Sequence, residues 1–130
     1  YILVNTSNEW YMVCNRSGGN DVVGGVSTPA GQLTHLVWTL DFTTKQWAWY
    51  KNGSVSVSDT LPNTPVPNPS PEDMYLGCFA WVDGNGWPGS MATFRYYDRV
   101  LDSTEVRRNY DSGPLAWGYR GLQVTRLVQG

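Results

Sequence analysis

The stretch QWAWYKNGSVSVSDT, residues 46–60, constrains this chain more than any other. Asn52-Gly53 supplies two neighbouring residues that accept positive φ, as a type I′ hairpin turn demands. Before the turn, Trp47, Trp49 and Lys51 share one face and Ala48 and Tyr50 the other. After it, serine and valine alternate strictly, so a half-exposed strand is expected with Val55 and Val57 pointing inward. Two strands joined by a tight turn commit the chain to antiparallel sheet.

The rest of the chain agrees with that commitment. GQLTHLVWTLDF reads as a long strand with Leu36, Trp38 and Leu40 on one face, and Val37 and Thr39 on the other. TTK then turns it back into the hairpin. YILVN and EWYMVCN read as two short strands joined at TSN, RSGGNDVVGG as a loop around a short Val-Val segment. MYLGCFAWV and SMATFRYYD are further strands, separated by the turn-rich DGNGWPG. Fourteen glycines, eight prolines and a charged fraction of 15% fit an all-β sandwich or barrel rich in turns. The 130 residues suit one domain, 1–130, with one core. Five prolines fall in residues 62–71, where they prevent regular ladder pairing and predict an extended surface loop.

One helix is expected. Asp102 stands as N-cap with Glu105 three residues on, a capping box, and Leu101 and Val106 form the matching hydrophobic staple. Gly113-Pro114 ends it. A helix of about two turns is marginal alone and has to be docked, by Val106 and Tyr110.

Several function classes are disfavoured. A net charge of −2 gives no general attraction to nucleic acid or anionic lipid. No run approaches the ~18 apolar residues of a membrane span, so no membrane insertion is expected. Cys14 and Cys78 lack the spacing of a zinc site; the two are candidates for a disulfide. Sequons occur at Asn5, Asn15 and Asn52, whereas Asn68 is followed by proline. Sequons and a Cys14–Cys78 pair together point to a secreted or surface-exposed, extracellular setting.

The charged run Arg95, Asp98, Arg99, Asp102, Glu105 invites a catalytic reading, but capping explains its spacing without a substrate. No E-x-D-x-x-E run exists, Glu9, Glu72 and Glu105 are scattered, and His35 is the single histidine. Glycosidic hydrolysis needs two carboxylates flanking one bond. The chain is therefore read as non-catalytic.

Taken in order, THLVWTLDFTTKQWAWYKNG, MYLGCFA and GWPGSMATFRYYDRVLDSTEVRRNY resemble the laminin G-like, concanavalin A-like lectin/glucanase family. The final motif rests on Arg95, Tyr96, Tyr97, Asp98, Arg99, Leu101, Ser103, Glu105 and Val106. The resemblance implies a jelly-roll sandwich of two antiparallel sheets with the short helix at one edge. That family usually opens with one or two strands before the equivalent of Tyr1, so the N-terminal strands are expected to be missing here. Its frequent acidic pair is replaced by Ala92-Thr93.

Sugar binding by such a module uses exposed aromatic faces with nearby hydrogen-bonding groups. Trp81, Asp83, Asn85 and Trp87 on one loop are the candidate glycan site. Trp47 and Trp49 are alternative platforms, with burial in the core the competing and stronger reading. Calcium at a loop rim would take oxygen ligands from Asp83 and Asn85, or from Asp21 with Asn20. No other cofactor is expected. The function implied is a non-catalytic module that binds glycan or protein partners, or serves as an adhesive or structural unit beside neighbouring domains of a longer chain. The alternative is a degenerate glycoside-active domain.

Overall fold

A computed structural model describes residues 2–4, 7–66 and 89–113. They form β1 (Ile2–Val4), β2 (Glu9–Arg16), β3 (Gly19–Ser27), β4 (Leu36–Leu40), β5 (Gln46–Lys51), β6 (Ser54–Thr60) and α1 (Ser103–Asp111). The strands make two antiparallel sheets, ordered β1-β2-β3 and β4-β5-β6.

The expected hairpin is present. Asn52 and Gly53 adopt φ of 51° and 79°, and β5 pairs with β6 across them. Register places Trp38 opposite Trp49 and Leu40 opposite Trp47, so one face of β4-β5 carries the large rings. Met12, Cys14 and Val26 of the first sheet close over Trp47, Trp49 and Leu61 to form the main core. The two sheets are therefore stacked as a sandwich. Trp47 and Trp49 are buried, at 6% and 2% exposure, so they are core residues and not platforms for a sugar.

The opposite face of the second sheet is covered too. Tyr50 packs with Leu101 and Val106, and Val37 and Ala48 lie against this second cluster. Both partners of the expected staple are buried there. Apolar side chains alternate in type less along β4 and β5 than along β6 because both faces of these two strands are covered.

Four expectations need correction. Residues 19–27 are a nine-residue strand, not a loop, because β2 offers a ladder partner from Glu9 to Arg16. A register shift between Trp10 and Met12 puts one extra residue into β3, with Gly24 at φ 70°. That bulge lets Val23 and Val26, three apart in sequence, both face the core. The long strand expected from residue 31 is confined to Leu36–Leu40.

Val55 does not point inward with Val57. A second shift, between Trp49 and Tyr50, pairs Val57 with Trp49 but Val55 with Tyr50. The additional residue, Ser56, turns Val55 to the other face, where it is 52% exposed. The strand expected over residues 90–98 has no assigned ladder. Its side chains still alternate, with Ala92 and Phe94 half-buried between exposed neighbours, while the other strand expected nearby, 74–82, lies outside the described residues.

The beginning of the proline-rich segment is anchored. Leu61 is buried in the core, Pro65 is buried, and the Val66 N–H donates to the Asn15 carbonyl at 2.8 Å. Asn63 Nδ2 meets both Asp21 oxygens at 3.1 and 3.2 Å. Residues 62–66 thus cross from the second sheet to the first along the surface, with Pro62, Asn63, Thr64 and Val66 exposed. Residues 67–71 lie outside the described set.

Candidate functional site

The sheet face that carries α1 grades from apolar to polar along its strands. Its apolar row is Val37, Tyr50 and Val55; the next row is Thr39, Ala48 and Ser58; beyond it Gln46 stands opposite Thr60. Where the small row replaces the large one, the surface dips into an open depression of about 380 Å³. Thr39, Ala48 and Ser58 make its floor, Tyr50 and Val100 its apolar wall, and Asp41, Gln46 and Thr60 its polar rim. Asp59 lines it as well.

The rim is built by the β4–β5 turn. Asp41 Oδ1 accepts from the backbone N–H groups of Thr43 (2.7 Å) and Thr44 (3.1 Å), and the Lys45 N–H donates to the Asp41 carbonyl at 2.8 Å. These bonds, from Thr44 first and Thr43 next, hold the Asp41 carboxyl below its ordinary pKa. Asp59 Oδ1 accepts the Thr60 N–H at 2.7 Å. Among the described residues the lining holds hydroxyls, an amide and two carboxylates, but no cation. Such a surface exchanges hydrogen bonds with a neutral hydroxylated ligand and repels anions.

The charged corner beside Val100 is a closed structural device. Asp102 Oδ1 accepts the Glu105 N–H at 2.8 Å, and Glu105 Oε2 accepts the Asp102 N–H at 3.1 Å. Arg99 grips both Glu105 oxygens, at 2.8 and 2.6 Å. Arg95 reaches Asn109 Oδ1 at 3.4 Å, and Asn109 Nδ2 donates to the Tyr97 hydroxyl at 3.2 Å. Asp98 is exposed.

Two outcomes follow from the corner. Asp102→Ala should lower stability by about 0.5–2 kcal/mol, measured by urea denaturation, because a helix N-terminal donor loses its acceptor. Glu105 is held at a pKa of about 2, down from 4.5, chiefly by the Arg99 hydrogen bonds and then by the Asp102 N–H. A carboxylate depressed on folding stabilises fully above its unfolded pKa. Its contribution is lost as pH falls from about 4.5 toward 2. Carboxyl ¹³C titration should therefore place the Glu105 midpoint near 2, and Arg99→Ala should move it up toward 4.5.

Other sequence candidates fall as follows. Trp81, Asp83, Asn85 and Trp87, with Asn5 and Cys78, lie outside the described residues. Cys14 is a free, buried thiol whose Sγ lies 2.9 Å from Met12 Sδ, with burial pushing its pKa up. Asn15 is exposed on β2, and Asn52 is exposed in the hairpin turn, where its Oδ1 accepts the His35 N–H at 3.1 Å. Asp21 pairs with Arg16 Nε at 2.9 Å and also takes the Asn63 amide, while Asn20 is exposed. The Asp21 carboxylate thus ties β2, β3 and residues 62–66 together. No group of three or more His, Cys, Asp or Glu among the described residues forms a metal cage. No helix of these residues is long and apolar enough to cross a membrane. The depression was not singled out from sequence: Thr39, Ala48 and Ser58 become neighbours only once strand register is known.

Stacked antiparallel sheets, with a box-capped helix on one outer face, define the class: a small lectin-type β-sandwich. The family model described as the Concanavalin A-like lectin/glucanases superfamily, of laminin G type, matches residues 1–107. The chain belongs to this family, and its fold is the jelly-roll sandwich expected of it. Among solved structures it is similar to an S-layer domain-containing protein from Clostridium thermocellum, with 16% identity and a TM-score of 0.55. The match covers 85% of this chain and 61% of that one, and the likeness is one of fold. No curated protein matches the chain.

Proposed function

We propose that this domain is a non-catalytic module of an extracellular or surface-exposed protein, holding glycan or protein partners and serving as a structural or adhesive unit. The observation that carries the reading is the polar depression beside α1, which offers hydrogen-bonding groups without a poised proton donor. A glycosidase needs one carboxyl kept protonated near neutrality. Asp41 is pushed the opposite way by its turn, and Glu105 is ionised and gripped by Arg99. Hydroxyls of Thr39, Ser58 and Thr60 and the Gln46 amide suit a ligand that is held rather than cleaved.

The test is a glycan array read alongside a reducing-end hydrolysis assay on the same sugars. Retention without turnover supports the reading. Turnover that disappears on mutating Glu105 or Asp98 overturns it in favour of a degenerate glycoside-active domain. Retention of neutral sugars that is lost in Gln46→Ala, with the melting temperature unchanged, assigns the contact to the depression. Loss in Trp87→Ala under the same condition assigns it to the 81–87 loop.

A further inference from the structure

The C-terminal half of α1 is held by a different set of contacts from its first turn. Tyr110 lies across the β5–β6 hairpin so closely that a Cβ built on Gly53 would come within 2.9–3.0 Å of it. On the other side of the turn stands His35. Its backbone N–H donates to Asn52 Oδ1 at 3.1 Å, and its carbonyl accepts the Asn52 N–H at 2.9 Å. The His35 and Tyr110 rings are 5.7 Å apart, tilted by 53°. His35 Nδ1 is buried and has no hydrogen-bond partner.

We propose that His35 is an acid-released latch, which fastens the C-terminal half of α1 to the β5–β6 hairpin while its imidazole is neutral. A protonated Nδ1 carries an N–H that must be satisfied, and this one is walled off from water with no acceptor. The charged groups around it make matters worse. Arg95 faces it from residues 90–97, and Arg107 of α1 lies over the Tyr110 ring at 5.3 Å. The carboxylate nearest to Arg107, on Asp111, is already paired with it at 2.9 Å. From the hairpin comes the neutral Asn52. No carboxylate among the described residues is positioned to compensate an imidazolium.

Burial first, and Arg95 second, lower the His35 pKa below its ordinary 6.5. For a group depressed on docking, the docked state is favoured fully above pH 6.5 and loses that contribution as pH falls below it. The first turn of α1 stays in place meanwhile. Leu101 and Val106 are buried, and Glu105 keeps its charge to about pH 2. Acid below pH 6.5 thus frees one end of the helix and leaves the sandwich closed.

Amide hydrogen exchange by NMR, corrected for intrinsic pH dependence, tests this from pH 7.5 to 5. Protection of residues 109–112 and of Asn52 and Gly53 should drop by about tenfold for each unit of His35 depression. Protection of Trp47–Tyr50 should hold. His35→Phe keeps a ring against Tyr110 and cannot charge, so it should abolish the pH response. A His35 midpoint at or above 6.5 overturns the proposal, as does a response that survives His35→Phe. Parallel loss of protection in β5 overturns it too, because the event would then be global unfolding. If His35→Phe fails to fold, the His35 midpoint and the α1-to-β5 comparison in the unmodified domain decide the matter alone.

Discussion

Gly24→Ala is expected to destabilise the domain by about 2–5 kcal/mol, from two additive sources. Gly24 sits in the β3 bulge at φ 70°, a conformation that costs an L-residue about 1–2 kcal/mol. A Cβ there would also lie 2.7 Å from Trp49 Cδ1, 2.8 Å from its Nε1 and 3.0 Å from Trp47 Cζ3. Both rings are buried and cannot move aside freely, so overpacking adds about 1–3 kcal/mol. The two sources separate in a double-mutant cycle. Trp49→Phe removes Nε1 and shrinks the ring that Cβ would strike, so Gly24→Ala should cost less in that background, leaving the backbone part and the Trp47 contact. Full additivity would mean that the sheets are not in contact at this point.

Trp49→Ala should cost about 3–5 kcal/mol, the upper range for emptying a core aromatic site. Trp49 is 2% exposed and joins the two sheets through Met12, Val26 and Leu61. Trp49→Phe separates volume from polarity. The Trp49 indole N–H is buried without a partner, as are those of Trp38 and Trp47. Removing an unsatisfied donor offsets part of the lost packing, so Trp49→Phe should cost less than about half the alanine figure. Urea denaturation of both variants measures the difference. Equal costs would show that the indole nitrogen has an acceptor after all.

The corner between residues 95 and 106 shows what one dimension can reveal. Asp102, Glu105, Leu101 and Val106 are close in sequence and act on one another, so spacing alone gave the helix, its cap and its staple. Asn52-Gly53 is local in the same sense. The face assignments for Trp47, Ala48, Trp49 and Tyr50 also hold, because strand alternation is a local geometric rule. The bidentate grip of Arg99 on Glu105, by contrast, comes from the fold of the corner and not from spacing.

Misreadings occur where a partner strand changes the count. Val55 follows the alternation of SVSVS, but the extra Ser56 opposite Trp49 and Tyr50 turns it outward. RSGGNDVVGGVS carries four glycines and reads as a loop, because glycine has weak strand preference. It becomes β3 since Gly24 is needed where the backbone passes over Trp49.

The sequence by itself determined that the chain is antiparallel, turn-rich and lectin-like, with a capped helix after residue 102. Those features depend on contacts within a few residues, or on the order of such motifs. The tertiary structure alone decided which tryptophans are core, where the depression opens and what surrounds His35. Each of those depends on residues distant in sequence, Gly24 against Trp49 and His35 against Tyr110, brought together by register and sheet stacking. No local periodicity encodes such a meeting.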